Sequence, residues 1–142
     1  MDRLASDFVQ KLLQQAIDKA KADFGKPICV TISDQAGEML GFLKMDGAPL
    51  RSIQISQRKA YTAARMGVST GAFMERLQRD KFLASDFDAF FTGLPGGTPL
   101  KNNEGGIIGA IGVSGLAASE DQAITDFVAG IVSAPENIIR GV

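Results

Sequence analysis

Apolar residues recur at helical spacing from the start of the chain. Leu4, Phe8, Leu12, Leu13, Ile17, Ala20 and Phe24 stand in a glutamine- and lysine-rich background. The pattern predicts an amphipathic helix, and Gly25 followed by Pro27 stops it. Residues 27–33 are rich in β-branched side chains and read as a strand; Asp34-Gln35-Ala36-Gly37 reads as a turn. Residues 38–44 then form the returning strand of a hairpin. After the loop Met45-Asp46-Gly47-Ala48-Pro49, residues 50–66 read as a helix that buries Ile53, Ala60, Ala63 and Ala64. Ser69 or Thr70 caps a further helix carrying Phe73, Met74 and Leu77. A helical turn over residues 85–91 gathers Phe87, Phe90 and Phe91, and residues 93–99 form a loop. Residues 98–101 and 105–114 read as a second hairpin turning at Asn102-Asn103. The last helix starts at a capping-box pattern of Ser119 and Gln122, with Glu120 and Asp121 in its first turn. Its expected buried stripe is Ala123, Phe127 and Ile131, with Ile124 as a further member, and Pro135 limits it. The apolar Ile138, Ile139 and Val142 of the tail point to docking on the chain's own core or on a neighbour.

The order helix, hairpin, helices, hairpin, helix is not a βαβ alternation. Short hairpin connections favour an antiparallel sheet with helices packed on it, an α+β arrangement. With 142 residues and neither repeat nor linker, the whole of 1–142 is expected to form one domain.

Composition narrows the chemistry. Fifteen basic and sixteen acidic residues give a net charge of −1, no surplus for a run of phosphates, so nucleic acid is not an expected partner. A polybasic membrane anchor is equally absent, and the apolar stretch from 107 to 113 is too short and glycine-rich to cross a bilayer. The single cysteine, Cys29, fits a reducing compartment and reads as an inert buried thiol. With no charged-then-apolar leader at the start, the expected location is the cytoplasm. There is no histidine, which removes Ser-His-Asp and Cys-His catalysis, the usual zinc sites and histidine-ligated haem. No metal cluster is expected.

Each remaining motif has a structural and a functional reading. The run from Gly105 to Gly115 lacks the strand–turn–helix placement of a dinucleotide fingerprint and no GK[ST] follows. Ala110, Gly112 and Ser114 instead form a small-residue face suited to close helix packing, or to a flat ligand. Asp34 reads as a turn residue that caps its own backbone. Asp46, in a longer loop, stays open between a turn role and a site role. Arg51, Arg58, Lys59 and Arg65 fall on or near the second helix. They form either a solvated face or, through Arg58 and Lys59, a contact for an acidic ligand, with Ser56, Tyr61 and Thr62 as neutral donors. A desolvated lysine there would also be a Schiff-base candidate. Phe87, Phe90 and Phe91 read as core, with a pocket lining shared with Met66 or Met74 as the alternative. Gly96 and Gly97 sit in a loop that either turns tightly or presents bare amides to a ligand.

Five pieces in this order resemble the GlcG/HbpS family. They are Asp34-x-x-Gly37 leading to Phe42, and Met45-Asp46-Gly47-Ala48. Then follow Arg58-Lys59-Ala60-Tyr61-Thr62-Ala63, Gly96-Gly97-Thr98-Pro99, and Gly109 to Gly115 with Asp121 after it. The resemblance implies a profilin-like antiparallel sheet flanked by helices, assembled as a homo-oligomer. It also implies haem, a corrinoid or a small carboxylate as ligand, in the company of diol, glycerol or hydroxyacid metabolism. It places residues 59–62 on the haem side of a sensor relative, which makes Thr62 a candidate weak axial ligand. The chain departs from some haem-binding relatives in having no histidine, and Lys44 stands where arginine is common.

Three functions follow. The first is an oligomeric, non-catalytic module holding a small ligand at Asp46, Arg58, Lys59, Thr62, Gly96 and Gly97. The second is an enzyme on a small hydroxyacid or aldehyde with Lys59 or Asp46 as acid–base group. The third is a partner-binding oligomer built through the tail and the glycine strand.

Overall fold

A computed structural model describes residues 3–134. The elements are α1 (Ser6–Asp23), β1 (Cys29–Ser33), β2 (Met39–Lys44), α2 (Arg51–Met66), α3 (Thr70–Asp80), β3 (Gly97–Lys101), β4 (Ile107–Ser114) and α4 (Ala118–Ser133). A short 3-10 turn, Ala84–Asp86, precedes β3. Pro135 and the tail from Glu136 lie outside the described residues.

The four strands form one antiparallel sheet in the order β2-β1-β4-β3. The result is the expected α+β fold. Alternation along the strands sorts side chains to two faces. Val30, Ile32, Ile111 and Val113 point to a core shared with Leu12, Ala16 and Ala20 of α1 and Ile124, Val128 and Val132 of α4. Ala110, Gly112 and Ser114 face the other way, where α2 lies, and Ala63 and Ala64 cluster with Ala110. A Cβ at Gly112 would collide with the backbone oxygen of Ser56 and approach the Ala60 nitrogen to 2.6 Å. The glycine strand therefore exists for close helix packing.

Asp34 closes the first hairpin as an Asx turn, its Oδ1 accepting the N–H groups of Ala36 (2.9 Å) and Glu38 (3.0 Å). Ser69, rather than Thr70, caps α3 by accepting the Ala72 N–H at 3.1 Å. Helix α4 departs from expectation in two ways. It begins two residues earlier, with Ala117 as N-cap and the Glu120 carboxylate accepting the Ala117 N–H at 3.2 Å. Its buried stripe is Asp121, Ile124, Thr125, Val128 and Val132, while Ala123 and Phe127 face solvent and Ile131 is half-buried. Ile53 is likewise only half-buried, because Ser52, Ser56 and Lys59 take the sheet-facing positions of α2. Phe87 and Phe91 pack edge-to-face on the buried Phe73 and Phe90 on Tyr61, but only Phe91 is buried with Phe73; Phe90 is half-buried and Phe87 is exposed.

Candidate functional site

The sheet face under α2 is polar along one line. Ser56 donates to the Ile53 carbonyl oxygen at 3.0 Å, which leaves Thr31 to donate to Ser56 at 2.9 Å. Ser114 and Ser52 pair at 3.2 Å. The line ends at Lys59, whose ammonium joins the end of β4 to α4. It donates to the Val113 carbonyl oxygen at 2.8 Å and to Oδ2 of Asp121, on α4, at 3.1 Å. Both side chains are only 3% exposed. Asp121 uses its other oxygen to accept the Leu116 N–H at 3.1 Å. Burial lowers the Lys59 pKa and raises that of Asp121; in each case the partner's charge opposes the shift.

Gly96 and Gly97 make room for this pair. A Cβ on Gly96 would lie 2.7 Å from the Lys59 Nζ and 2.8 Å from the Asp121 Cβ, and its φ of +124° suits glycine. A Cβ on Gly97 would press on the Lys59 backbone and lie 2.9 Å from the Thr70 methyl group. The Gly97 N–H is held by Thr70 Oγ1 at 2.9 Å. Gln122 fixes the same loop from α4. Its Oε1 accepts the N–H groups of Gly96 (2.7 Å) and Gly71 (3.2 Å), and its Nε2 donates to Thr98 at 2.9 Å. Gln122, read from sequence as half of a capping box, is thus a positioning residue for the glycine loop.

Beside the ion pair lies a cleft of about 160 Å³ between the first turns of α2 and α4. Arg51, Ser52, Lys59, Ser114 and Asp121 supply its polar lining; Ile55, Leu94, Pro95 and Leu116 supply its apolar lining. Two larger depressions, of about 390 and 540 Å³, are lined by none of the six candidate ligand-binding residues.

Of the six sequence candidates, Lys59, Gly96 and Gly97 come together. Thr62 does not join them: it is fully buried, its hydroxyl donates to the Arg58 carbonyl oxygen at 2.7 Å and accepts the Thr92 N–H at 3.0 Å. The Arg58 guanidinium lies over the Phe90 ring, 4.6 Å from its centroid. Asp46 is exposed in its loop and does not line the cleft. Sequence reasoning missed the pairing of Lys59 with Asp121, since 62 residues separate them. Cys29 is fully buried, and burial raises its thiol pKa against the opposing charge of Lys44. No group of three metal-ligating side chains occurs among the described residues. No helix among them is long and apolar enough to cross a membrane.

Residues 4–129 match the family model described as "Haem degrading protein HbpS-like". The chain belongs to this HbpS-like family. A Citrobacter freundii relative, an uncharacterized 15.0 kDa protein in the dhaT-dhaS intergenic region, is 30% identical over 122 residues, covering 82% of this chain and 83% of its own. The fold is also similar to a double mutant of Streptomyces reticuli HbpS, with a TM-score of 0.84 and 26% identity over 94% of this chain and 90% of that one. A structure named as a PduOC–haem complex matches with a TM-score of 0.80 and 23% identity, covering 90% and 94%.

Proposed function

We propose that this HbpS-like chain is an oligomeric, non-catalytic module that binds a small carboxylate or carbonyl metabolite in the Lys59 cleft. The observation that carries the reading is the buried Lys59–Asp121 pair opening onto that cleft. Arg51 and Lys59 against Asp121 give the lining one net positive charge. A hydroxyacid would set its carboxylate on Arg51 and its hydroxyl or carbonyl oxygen on Lys59 and the Ser52–Ser114 pair. A volume of about 160 Å³ is about five times the ~30 Å³ share of one water in the liquid. That suits a metabolite of a few heavy atoms, in keeping with the diol and hydroxyacid company implied by the family resemblance. The lone buried Cys29 supports a reducing, cytoplasmic setting.

Haem fits these residues poorly. Sites for ligands of drug size or more run to roughly 300–1,000 Å³, well above this cleft. Thr62 already has both its hydrogen-bonding roles filled, and the chain offers no histidine.

Titration calorimetry with glycolate and propionate tests the reading. Saturable binding is expected, weakened by about ten- to a hundredfold in Arg51→Ala, the loss of one charge-assisted contact of ~1.5–3 kcal/mol. Absence of binding by any small carboxylate or carbonyl compound, together with a saturating Soret shift on haem addition that Thr62→Ala abolishes, would overturn it.

A further inference from the structure

The structure assigns to Lys59 a second capacity: its Nζ is placed to capture a small aldehyde as a reversible Schiff base, with Asp121 carrying the proton. This rests on the proposed cleft and names its ligand class more narrowly. Three observations carry it. First, Lys59 lines the cleft although its side chain is only 3% exposed, so a ligand there meets it where water is scarce. Secondly, a carboxylate stands at 3.1 Å, in reach of the proton an ammonium must lose before its nitrogen attacks. Thirdly, the Ser52 and Ser114 hydroxyls line the same cleft and can donate to a carbonyl oxygen. Among the described residues, two acceptors fill two of the three protons of the ammonium. Burial, by lowering the Lys59 pKa, adds to its nucleophilic fraction.

The step balances within the cleft. Asp121 takes one proton from the ammonium, and the Nζ lone pair attacks the aldehyde carbon. The C–N bond forms as the C=O π pair moves to oxygen, which takes a proton from the nitrogen to give a carbinolamine. Asp121 returns its proton to the hydroxyl, the C–O bond breaks and water leaves. The nitrogen lone pair closes the C=N bond, leaving an iminium ion paired with the Asp121 carboxylate. Ammonium plus aldehyde has become iminium plus water, and the buried charge is unchanged. No oxidant or reductant enters.

The test is reductive trapping of the full chain with propionaldehyde and cyanoborohydride at neutral pH, followed by peptide mass mapping. A propyl group is expected on Lys59 with a rate that saturates in aldehyde. It should exceed that of the exposed Lys81 and Lys101 by about tenfold for each unit by which burial lowers the Lys59 pKa. Ala118→Phe, at the exposed first position of α4 on the rim of the cleft, should slow trapping at Lys59 and leave Lys81 and Lys101 unchanged. Trapping at Lys59 no faster than at those surface lysines overturns the inference. Propionate titration in parallel separates the two readings. Propionate binding without trapping sinks only the Schiff base, whereas failure of both sinks the cleft as a ligand site.

Discussion

Lys59 and Asp121 are a buried pair, and such pairs behave asymmetrically. Taking two charges out of water costs several kcal/mol per ion, and their attraction repays this only with good geometry. Removing one partner leaves the other charge buried alone. Asp121→Asn is therefore expected to destabilise the fold by about 3–5 kcal/mol in urea unfolding. The double variant Lys59→Met with Asp121→Leu should cost clearly less than the sum of the single changes, because no orphaned charge remains. An additive double-mutant cycle would show that the two charges do not interact. The pH dependence has a definite sign. Burial lowers the folded-state pKa of Lys59 from 10.5, and Asp121 opposes the shift. With Asp121→Asn that opposition is lost, so the unfolded chain binds a proton the folded one resists, over a wider range below 10.5. Stability of the variant should rise with pH through that range, and its deficit against the wild type should shrink from pH 7 towards pH 10. A deficit independent of pH would mean that Lys59 is not a buried cation. Lys59, Gly96 and Gly97 were legible in the sequence as candidates, but their common purpose was not. The acid that unites them sits in the first turn of a helix, where Asp121 reads as an ordinary partner of the helix dipole.

Helix α4 shows why an element can be recognised and still be turned the wrong way. Ala123, Phe127 and Ile131 form one apolar ladder at a spacing of four, and Ile124, Val128 and Val132 form another one residue on. Both satisfy helical periodicity, so the pattern locates the helix without choosing its inner face. The choice is made elsewhere. Asp121 must meet Lys59, and Thr125 meets Thr98 at 2.8 Å, which turns the second ladder inward. Phe127 is left 39% exposed, with the Lys19 ammonium 4.4 Å from its ring centroid. The hairpins were more legible, because short runs bounded by turn residues such as Asp34 to Gly37 and Asn102-Asn103 admit fewer alternatives. The small-residue strand β4 was read correctly from alternation, which put Ala110, Gly112 and Ser114 on one face. Two glycines then give opposite predictions. Gly112→Ala drives a methyl group into the α2 backbone and should cost at least ~1–3 kcal/mol by overpacking. Gly130→Ala, in a helix with nothing within 4 Å of the added carbon, should stabilise by roughly 0.5–1 kcal/mol through helix propensity. Thermal unfolding of the two variants checks both, and a destabilised Gly130→Ala would mean that its face of α4 is covered.

At the scale of the whole molecule the sheet ends in two edge strands, β2 and β3. Among the described residues β2 pairs only with β1, so its outer edge presents backbone groups that no strand satisfies. Chains that remain single usually blunt such an edge with lysine, proline or a covering helix. Here β2 instead carries Met39, Leu40 and Leu43, exposed to 56%, 45% and 39%, with Lys44 as its one charge. Leu43 opposes Val30 and so falls on the α1 side, while an irregularity opposite Ile32 and Ser33 breaks the alternation before Met39 and Leu40. Covering this edge with a second copy would bury all three side chains and follow the two-fold logic of most soluble oligomers. The cleft lies at the first turns of α2 and α4, and none of these three residues lines it. Assembly and ligand binding should therefore be separable. Leu40→Lys with Leu43→Lys is expected to lower the mass measured by light scattering after gel filtration. Circular dichroism and carboxylate binding should stay as in the wild type. An unchanged mass would place any interface on another surface, and loss of binding together with mass would mean that the cleft is completed by a neighbouring copy.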